Sequence, residues 1–251
     1  MVYFVGAGPG AADLITMRGK ALLETADTVI YAGSLINPAL LGYCRAGCAL
    51  HDSARLTLPK IIALMEQTER AGGQTVRLHS GDPSIYGAIR EQMDALTERG
   101  VAYEICPGVA SFCAAAAALR AEYTLPSASQ TIILTRMAGK TPAPEKQSIE
   151  SLAAHGATMV VFLSAGMPNE LRAALLRGGY RADTPAAIVY KAGWPEEIVL
   201  RGTVDTLPQL ANSHSITKTA LIAVGDFLGD AYTPSKLYDP QFSTGYRKAT
   251  E

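Results

Sequence analysis

Three glycine-containing stretches have the composition and position expected of ligand-binding loops. They read "GAGPGA" (6–11), "SGDPSIYG" (80–87) and "PGVAS" (107–111), and each follows a short apolar run. Glycine lets a ligand approach the backbone closely, and Asp82 in the second stretch supplies a hydrogen-bond acceptor. Because open α/β sheets bind ligands at the carboxyl ends of their strands, we expect the three loops to line one edge of a sheet.

The first loop matches the dinucleotide-binding pattern G-x-G-x-x-G/A, but its surroundings do not. Pro9 has no backbone N–H to offer a pyrophosphate, and Asp13 adds negative charge nearby. The next apolar run ends in Tyr31, Ala32 and Gly33, without the acidic residue that would bind a ribose. A nicotinamide-dependent oxidoreductase is therefore disfavoured, while a tight glycine turn without a ligand stays open.

The second loop has two interpretations. Gly81 and Asp82 suit a ligand site, with Pro83 in the first turn of a helix that we predict from Ser84 to Leu96. The same residues could simply cap that helix, since Asp before Pro is a common N-cap arrangement. His79 either touches the ligand or is a hydrogen-bonded histidine at the end of a strand.

The cysteines indicate neither a metal centre nor a disulfide scaffold. Cys44, Cys48 and His51 form C-x3-C-x2-H, which lacks the third cysteine of a radical iron–sulfur site and a second cluster to complete a zinc site. Four cysteines in 251 residues are too few for a disulfide framework. We predict free thiols and no metal.

Hydrophobic periodicity predicts an α/β protein with two domains. The predicted strands are 2–5, 28–31, 74–80, 102–106, 130–136, 157–164, 186–192, 196–203 and 219–225. Helical patterns between the first four, such as Leu58 to Glu69, favour a mostly parallel N-terminal sheet with helices on both faces. Strands 186–192 and 196–203 are too close for a helix between them, so the C-terminal sheet is mixed. We expect domains at 1–121 and 122–230, followed by a tail at 231–251.

Composition excludes several classes of function. The chain is 48% apolar and 18% charged with a formal net charge of −1, which gives no basic excess for nucleic acid or an anionic membrane. Its apolar runs are shorter than the ~18 residues that span a bilayer, and no secretory signal opens it. We therefore expect a cytoplasmic protein that binds neither nucleic acid nor membrane.

Four motifs, in their order and spacing, resemble the tetrapyrrole methyltransferase family over residues 1 to about 230. These are "VGAGPGAADLIT", "SGDPSIYG", "PGVAS" and "TPAAIVYKAGWPEE". The resemblance implies two αβα domains with S-adenosylmethionine in the cleft between them, and a homodimer. The glycines and proline of the first loop would then shape the floor of a methyl donor's site.

The resemblance also implies which residues contact the cofactor. Carried over by position, they are Pro9, Ser80, Gly81, Asp82, Ile85, Ala110 and Ser111, with Leu163, Ala187, Ile188 and Ala220 in the second domain. Ala110 stands where many relatives have threonine, so a hydroxyl contact is lost there. Each small or apolar residue of the second domain could equally belong to the core.

The substrate that the resemblance implies is a reduced tetrapyrrole, with methylation of precorrin-4 at C-11 expected. The alternatives are the cobalt complex of precorrin-4 and methylation at another position of the ring. The carboxylate arms of the tetrapyrrole need cationic donors, for which we select Arg136, then Arg55, Lys140 and Lys191. Arg136 precedes the loop "MAGKTPAPEK" (137–146), a possible lid. Transfer from a sulfonium needs placement rather than a strong base, so no catalytic side chain is predicted. A non-catalytic tetrapyrrole carrier is the remaining rival.

Overall fold

The computed structural model describes residues 1–250 and divides the chain into two compact units. Unit 1 contains residues 1–115 and 191–197, and unit 2 contains residues 116–190 and 198–250. Unit 1 thus includes a short segment from the second half of the sequence, between two strands of unit 2. The domain limits 1–121 and 122–230 remain a prediction.

Within residues 1–250, the two units contain ten strands and seven α-helices. The strands are β1 (Val2–Gly6), β2 (Thr28–Tyr31), β3 (Ala49–Asp52), β4 (Thr75–His79), β5 (Tyr103–Cys106), β6 (Ile132–Arg136), β7 (Thr158–Phe162), β8 (Pro185–Tyr190), β9 (Ile198–Thr203) and β10 (Ala220–Val224). The helices are α1 (Met17–Thr25), α2 (Leu58–Arg70), α3 (Arg90–Glu98), α4 (Ser111–Leu119), α5 (Ile149–Ala153), α6 (Pro168–Arg177) and α7 (Leu207–Ser213). Short 3-10 turns join several of them.

The sheet of unit 1 is entirely parallel, in the order β3-β2-β4-β1-β5. Val5, Val29 and Leu78 pack with Leu23 of α1 on one face. Phe4 and Ile30 pack on the other face with residues of α2 and α3. Apolar runs that are buried on both faces are typical of parallel strands, and the predicted parallel sheet is confirmed.

The sheet of unit 2 is mixed, in the order β6-β7-β10-β8-β9. β6 and β7 are parallel, while β10 runs antiparallel to both β7 and β8. β8 and β9 form an antiparallel hairpin with no helix between them, and the predicted mixed sheet is confirmed. Side chains of α5, α6 and α7 pack on one face, where Leu171, Leu175 and Leu207 are fully buried.

The sequence prediction was wrong for the start of α3. It placed the helix at Ser84 with Pro83 in its first turn, whereas α3 begins at Arg90. Tyr86 and Ala88 have φ of 57° and 49°, a left-handed backbone that cannot belong to a right-handed helix. Residues 83–86 instead form a turn.

Residues 232–250 are mostly exposed and contain one 3-10 turn at Lys236–Tyr238. This segment is fixed at its start, where the backbone N–H of Thr233 donates to the carbonyl oxygen of Pro126 at 3.3 Å. Among residues 1–250, no helix has the length and apolar character needed to cross a membrane.

Candidate functional site

The loops after β4, β1 and β5 lie side by side, because these strands are neighbours in the sheet of unit 1. The N–H of Ala7 donates to the carbonyl oxygen of His79 at 2.7 Å. Gly8 and Gly81 exchange two backbone hydrogen bonds of 3.2 and 2.8 Å. The structure therefore brings together the three loops that the sequence placed at one edge of a sheet.

Three glycines allow the loops to approach this closely. A Cβ added at Gly6 would lie 2.5 Å from the Cα of Gly108 and 2.7 Å from the carbonyl oxygen of Gly81. A Cβ at Gly108 would lie 2.3 Å from the same oxygen. Gly81 itself has a φ of +64°, which glycine adopts without strain. Backbone packs directly on backbone here, so any side chain would push the loops apart.

The carboxylate of Asp82 ties the second loop to the third. One oxygen accepts from the N–H of Gly108 at 2.8 Å, and the other accepts from the Ser84 N–H at 2.8 Å and from the Ser84 hydroxyl. Partial burial tends to raise the pKa of Asp82, but these hydrogen bonds outweigh it and hold the pKa below its usual value. Asp82 is thus an ionised anchor for two loops.

A buried arginine supports the turn that follows Asp82. Arg77, in β4, donates from Nε to the Gln92 side-chain oxygen at 3.1 Å, and Gln92 donates to the carbonyl oxygen of Ala88 at 3.0 Å. Arg77 also donates to the carbonyl oxygen of Ile30 at 3.1 Å. Burial lowers the pKa of Arg77 to about 10. This chain of contacts fixes the left-handed backbone at Ala88.

His79 is buried at the end of β4, with 4% of its surface exposed. Its Nε2 has no hydrogen-bond partner within residues 1–250. Burial, assisted by the positive charge of Arg77, lowers the pKa of His79 to about 3. His79 is therefore a neutral residue at physiological pH, and its ring lies 6.1 Å from that of Phe4.

The first loop is held by two side chains to which the sequence analysis gave no role. The indole N–H of Trp194 donates to the carbonyl oxygen of Pro9 at 3.1 Å. The amide of Asn37 donates to the carbonyl oxygen of Gly10 at 2.9 Å. The one available signal was the position of Trp194, the only tryptophan in the chain, within the quoted motif "KAGWPEE".

In unit 2, Leu163 has a strained and exposed conformation directly after β7. Its φ is +53° and 69% of its surface is exposed, although leucine favours neither. The hydroxyl of the neighbouring Ser164 donates to the carbonyl oxygen of Phe162 at 2.7 Å and accepts from the Met137 N–H at 2.9 Å. Backbone strain of this kind is enriched at ligand sites.

The other three predicted cofactor residues of unit 2 lie at different places in the sheet. Ala220 opens β10, which runs antiparallel to β7, so it lies at the same edge of the sheet as Leu163. Ala187 and Ile188 are fully buried inside β8, and Ile188 belongs to the core with α5, α6 and α7. Because neighbouring side chains of a strand face opposite sides, these two cannot present side chains to one ligand.

The four basic residues chosen for the substrate do not share one environment. Arg136 donates to the carbonyl oxygens of Met137, Thr141 and Pro142 at 3.0 to 3.2 Å, so much of its guanidinium holds the 137–142 loop. Lys140 and Arg55 are exposed. Lys191 lies over the Trp194 ring, 5.2 Å from its centroid, and 3.6 Å from a carboxylate oxygen of Glu196.

Cys44 and Cys48 are free thiols, as predicted. Burial, followed by the proximity of Cys48, raises the pKa of Cys44 to about 11, so this thiol is protonated at neutral pH. In the described part of the chain, no three His, Cys, Asp or Glu side chains are grouped to hold a metal ion.

Comparison with known proteins gives one consistent family. The family model described as Tetrapyrrole (Corrin/Porphyrin) Methylases matches residues 1–208. A cobalt-precorrin-4 C(11)-methyltransferase of Methanocaldococcus jannaschii is 48% identical over 99% of this chain and 96% of its own length. A precorrin-4 C(11)-methyltransferase of Mycobacterium tuberculosis is 45% identical over 94% of this chain and 95% of its own.

Two solved structures of methyltransferases are similar to this chain over nearly its whole length. The crystal structure of a cobalt precorrin-4 methyltransferase covers 91% of this chain and 95% of its own, with a TM-score of 0.89 and 42% identity. A uroporphyrin-III C-methyltransferase from Thermus thermophilus, complexed with S-adenosylhomocysteine, shares the fold over 92% of this chain and 97% of its own, with a TM-score of 0.75 and 24% identity.

Proposed function

The chain belongs to the tetrapyrrole (corrin/porphyrin) methylase family, and from that premise we propose that it transfers the methyl group of S-adenosylmethionine to C-11 of precorrin-4. The observation that carries the proposal is the near-full-length similarity to two enzymes whose names specify the same position of the same ring. The cobalt complex of precorrin-4 is the second candidate substrate, because the relative at 48% identity is named for it and the one at 45% is not.

We propose that the cofactor binds to the loop residues of unit 1, namely Pro9, Ser80, Gly81, Asp82, Ile85, Ala110 and Ser111. The loops suit such a ligand, because glycine leaves Ser80 to Asp82 and Ser111 close together: a Cβ at Gly81 would lie only 3.3 Å from the Ser111 nitrogen. A second, unit-2 set extends the proposal to Leu163, Ala187, Ile188 and Ala220, in which only one of the adjacent Ala187 and Ile188 would present its side chain to the cofactor. Leu163 has the strongest support in that set, because its strain and exposure are otherwise unexplained.

A bound S-adenosylmethionine supplies a methyl group that its sulfonium has already made electrophilic. A nucleophilic ring carbon held in line would take this methyl group, with S-adenosylhomocysteine as the leaving group that keeps the electron pair of the broken C–S bond. The residues of the chain therefore need only to bind, orient and exclude water. Placing two reactants in line can supply about 7–11 kcal/mol in favourable cases. The hydrogen bonds of Asp82 and the close packing of the glycines provide the rigid loops that such placement requires.

The acetate and propionate arms of the substrate need cations. We propose Arg136, Arg55, Lys140 and Lys191 for this role. Arg136 is better supported as the residue that shapes the 137–142 loop, from which Lys140 projects, than as a free guanidinium. Its substitution would then act on the tetrapyrrole through that loop.

Binding of S-adenosylhomocysteine, measured by calorimetry, tests the proposal against the rival classes. A methyltransferase of this kind should bind it at micromolar levels and should bind no nicotinamide cofactor. A tetrapyrrole carrier would bind the ring but not S-adenosylhomocysteine. A second assay with labelled S-adenosylmethionine then offers precorrin-4 and its cobalt complex in parallel, and the faster reaction identifies the substrate. Absence of both binding and transfer would refute the proposal.

A further inference from the structure

The segment between β8 and β9 packs onto the first glycine loop within unit 1. Residues 191–197 join two strands of unit 2 but belong to unit 1. The indole N–H of Trp194 donates to the carbonyl oxygen of Pro9 at 3.1 Å. A Cβ added at Gly10 would lie 2.1 Å from Cδ1 of the same indole. The indole thus contacts two consecutive residues of the loop, once by a hydrogen bond and once by direct packing.

The segment is built to hold the indole in this place. Lys191 has a φ of 48°, and its carbonyl oxygen accepts from the backbone N–H of Trp194 at 2.9 Å. Gly193 has a φ of +78°, and its N–H donates to a carboxylate oxygen of Glu197 at 2.7 Å. The Lys191 ammonium lies 5.2 Å from the centroid of the indole. The strain at Lys191 and the closed turn indicate an over-determined conformation.

We infer that Trp194 is a positioning residue for the methyl donor, which acts by fixing Pro9 and Gly10 rather than by touching the reacting atoms. This inference rests on the proposed function, because it concerns the same cofactor loop. Pro9 has no N–H to donate to the cofactor, and its carbonyl oxygen already accepts a hydrogen bond from the indole. We infer that Pro9 contributes to the cofactor site through the backbone conformation of the first loop, and that Trp194 maintains that conformation.

The first test is Trp194→Phe, which keeps an aromatic ring and removes the N–H donor. We expect the Kd of S-adenosylhomocysteine, measured by calorimetry, to rise about three- to tenfold, as for the loss of one net hydrogen bond. The KM for S-adenosylmethionine should rise with it, while the KM for the tetrapyrrole and kcat stay within about twofold. A lower melting temperature with an unchanged Kd would overturn the inference, since the role would then be structural only. If the wild-type protein itself binds no S-adenosylhomocysteine, the proposed function fails instead.

The second test addresses packing and also serves if Trp194→Phe does not fold. Gly10→Ala should raise the Kd at least tenfold, because its methyl group collides with the indole. In a Trp194→Ala background the methyl group has room, so Gly10→Ala should raise the Kd by no more than about twofold further. Gly42→Ala is the matched control, since no atom lies within 4 Å of a Cβ at that position. Equal effects of Gly10→Ala in both backgrounds would contradict the inference.

The wild-type protein offers a third measurement, because Trp194 is its only tryptophan. Selectively excited tryptophan emission therefore reports on the surroundings of this one residue. Saturating S-adenosylhomocysteine should change the emission and reduce quenching by acrylamide, with a midpoint equal to the calorimetric Kd. Binding by calorimetry with no change in emission or quenching would show that the ligand does not act on the loop that Trp194 holds, and would overturn the inference.

Discussion

Gly6, at the end of β1, is the residue where added bulk should have the largest effect. A methyl group there would overlap the backbone of Gly108 and Gly81, which cannot move without breaking the loop contacts. We expect Gly6→Ala to lower the free energy of unfolding by about 3 kcal/mol. Chemical denaturation measures this, with Gly42→Ala changing it by no more than about 1 kcal/mol. Equal effects of the two substitutions would show that the loops are not in close contact.

His79 should make stability depend on pH. Its pKa of about 3 in the folded protein lies below the ordinary value of about 6.5. Between these values the unfolded chain binds a proton that the folded chain does not, so stability falls as pH falls. We expect His79 to account for about 2 kcal/mol of lost stability between about pH 7.5 and 5. Denaturation of His79→Leu over this range should show a correspondingly flatter pH dependence.

The matched control for that experiment is His155→Gln, because His155 is an exposed loop residue. This variant should retain the pH dependence of the wild-type protein. If His79→Leu shows the wild-type slope as well, the buried imidazole is not the group that titrates on unfolding.

For single residues, the sequence could indicate which side chains are able to bind a ligand or form a hydrogen bond, but not which groups they contact. Asp82 was predicted as an acceptor for a ligand, and nothing in the sequence indicated that its carboxylate also accepts from the N–H of Gly108, 26 residues away. No pattern of apolar residues encodes the exposure and left-handed φ of Leu163.

At the scale of elements, α3 supports the turn after β4 through Gln92. Replacing Gln92 by Leu would leave the Nε of Arg77 and the carbonyl oxygen of Ala88 without their contacts. Because the lost partner serves a buried charge, we expect the free energy of unfolding to fall by about 3 kcal/mol, and S-adenosylhomocysteine binding to weaken. Thermal and chemical denaturation measure the first effect, and calorimetry the second.

Glu91→Gln is the control within the same helix, since Glu91 is exposed. It should change the free energy of unfolding by less than about 0.5 kcal/mol. If the Gln92→Leu variant is as stable as this control, the hydrogen bond between Gln92 and the buried Arg77 does not contribute to the free energy of unfolding.

Strands were easier to predict than the start of α3, for a physical reason. Buried β-branched runs such as that of β7 have few alternatives, and the short link between β8 and β9 leaves no room for a helix. Helical periodicity before Arg90 was misleading, because a turn closed by the Asp82 side chain resembles a capped helix in sequence. β3 was missed because four residues with exposed and half-buried side chains carry little pattern.

At the scale of the whole molecule, both sheet types were predictable, but the composition of unit 1 was not. Segment 191–197 joins unit 1 through contacts of Trp194 with residues about 185 positions earlier, which local sequence cannot reveal. The homodimer that the family resemblance implies remains a prediction.

The most direct test of the central claim is the position of the transferred methyl group. The purified protein would be incubated anaerobically with precorrin-4 and S-adenosylmethionine that carries carbon-13 in its methyl group, and the product analysed by NMR. We predict a single new labelled methyl at C-11, with one equivalent of S-adenosylhomocysteine formed. Label at another ring position, or S-adenosylhomocysteine binding without transfer to precorrin-4 or its cobalt complex, would contradict the account.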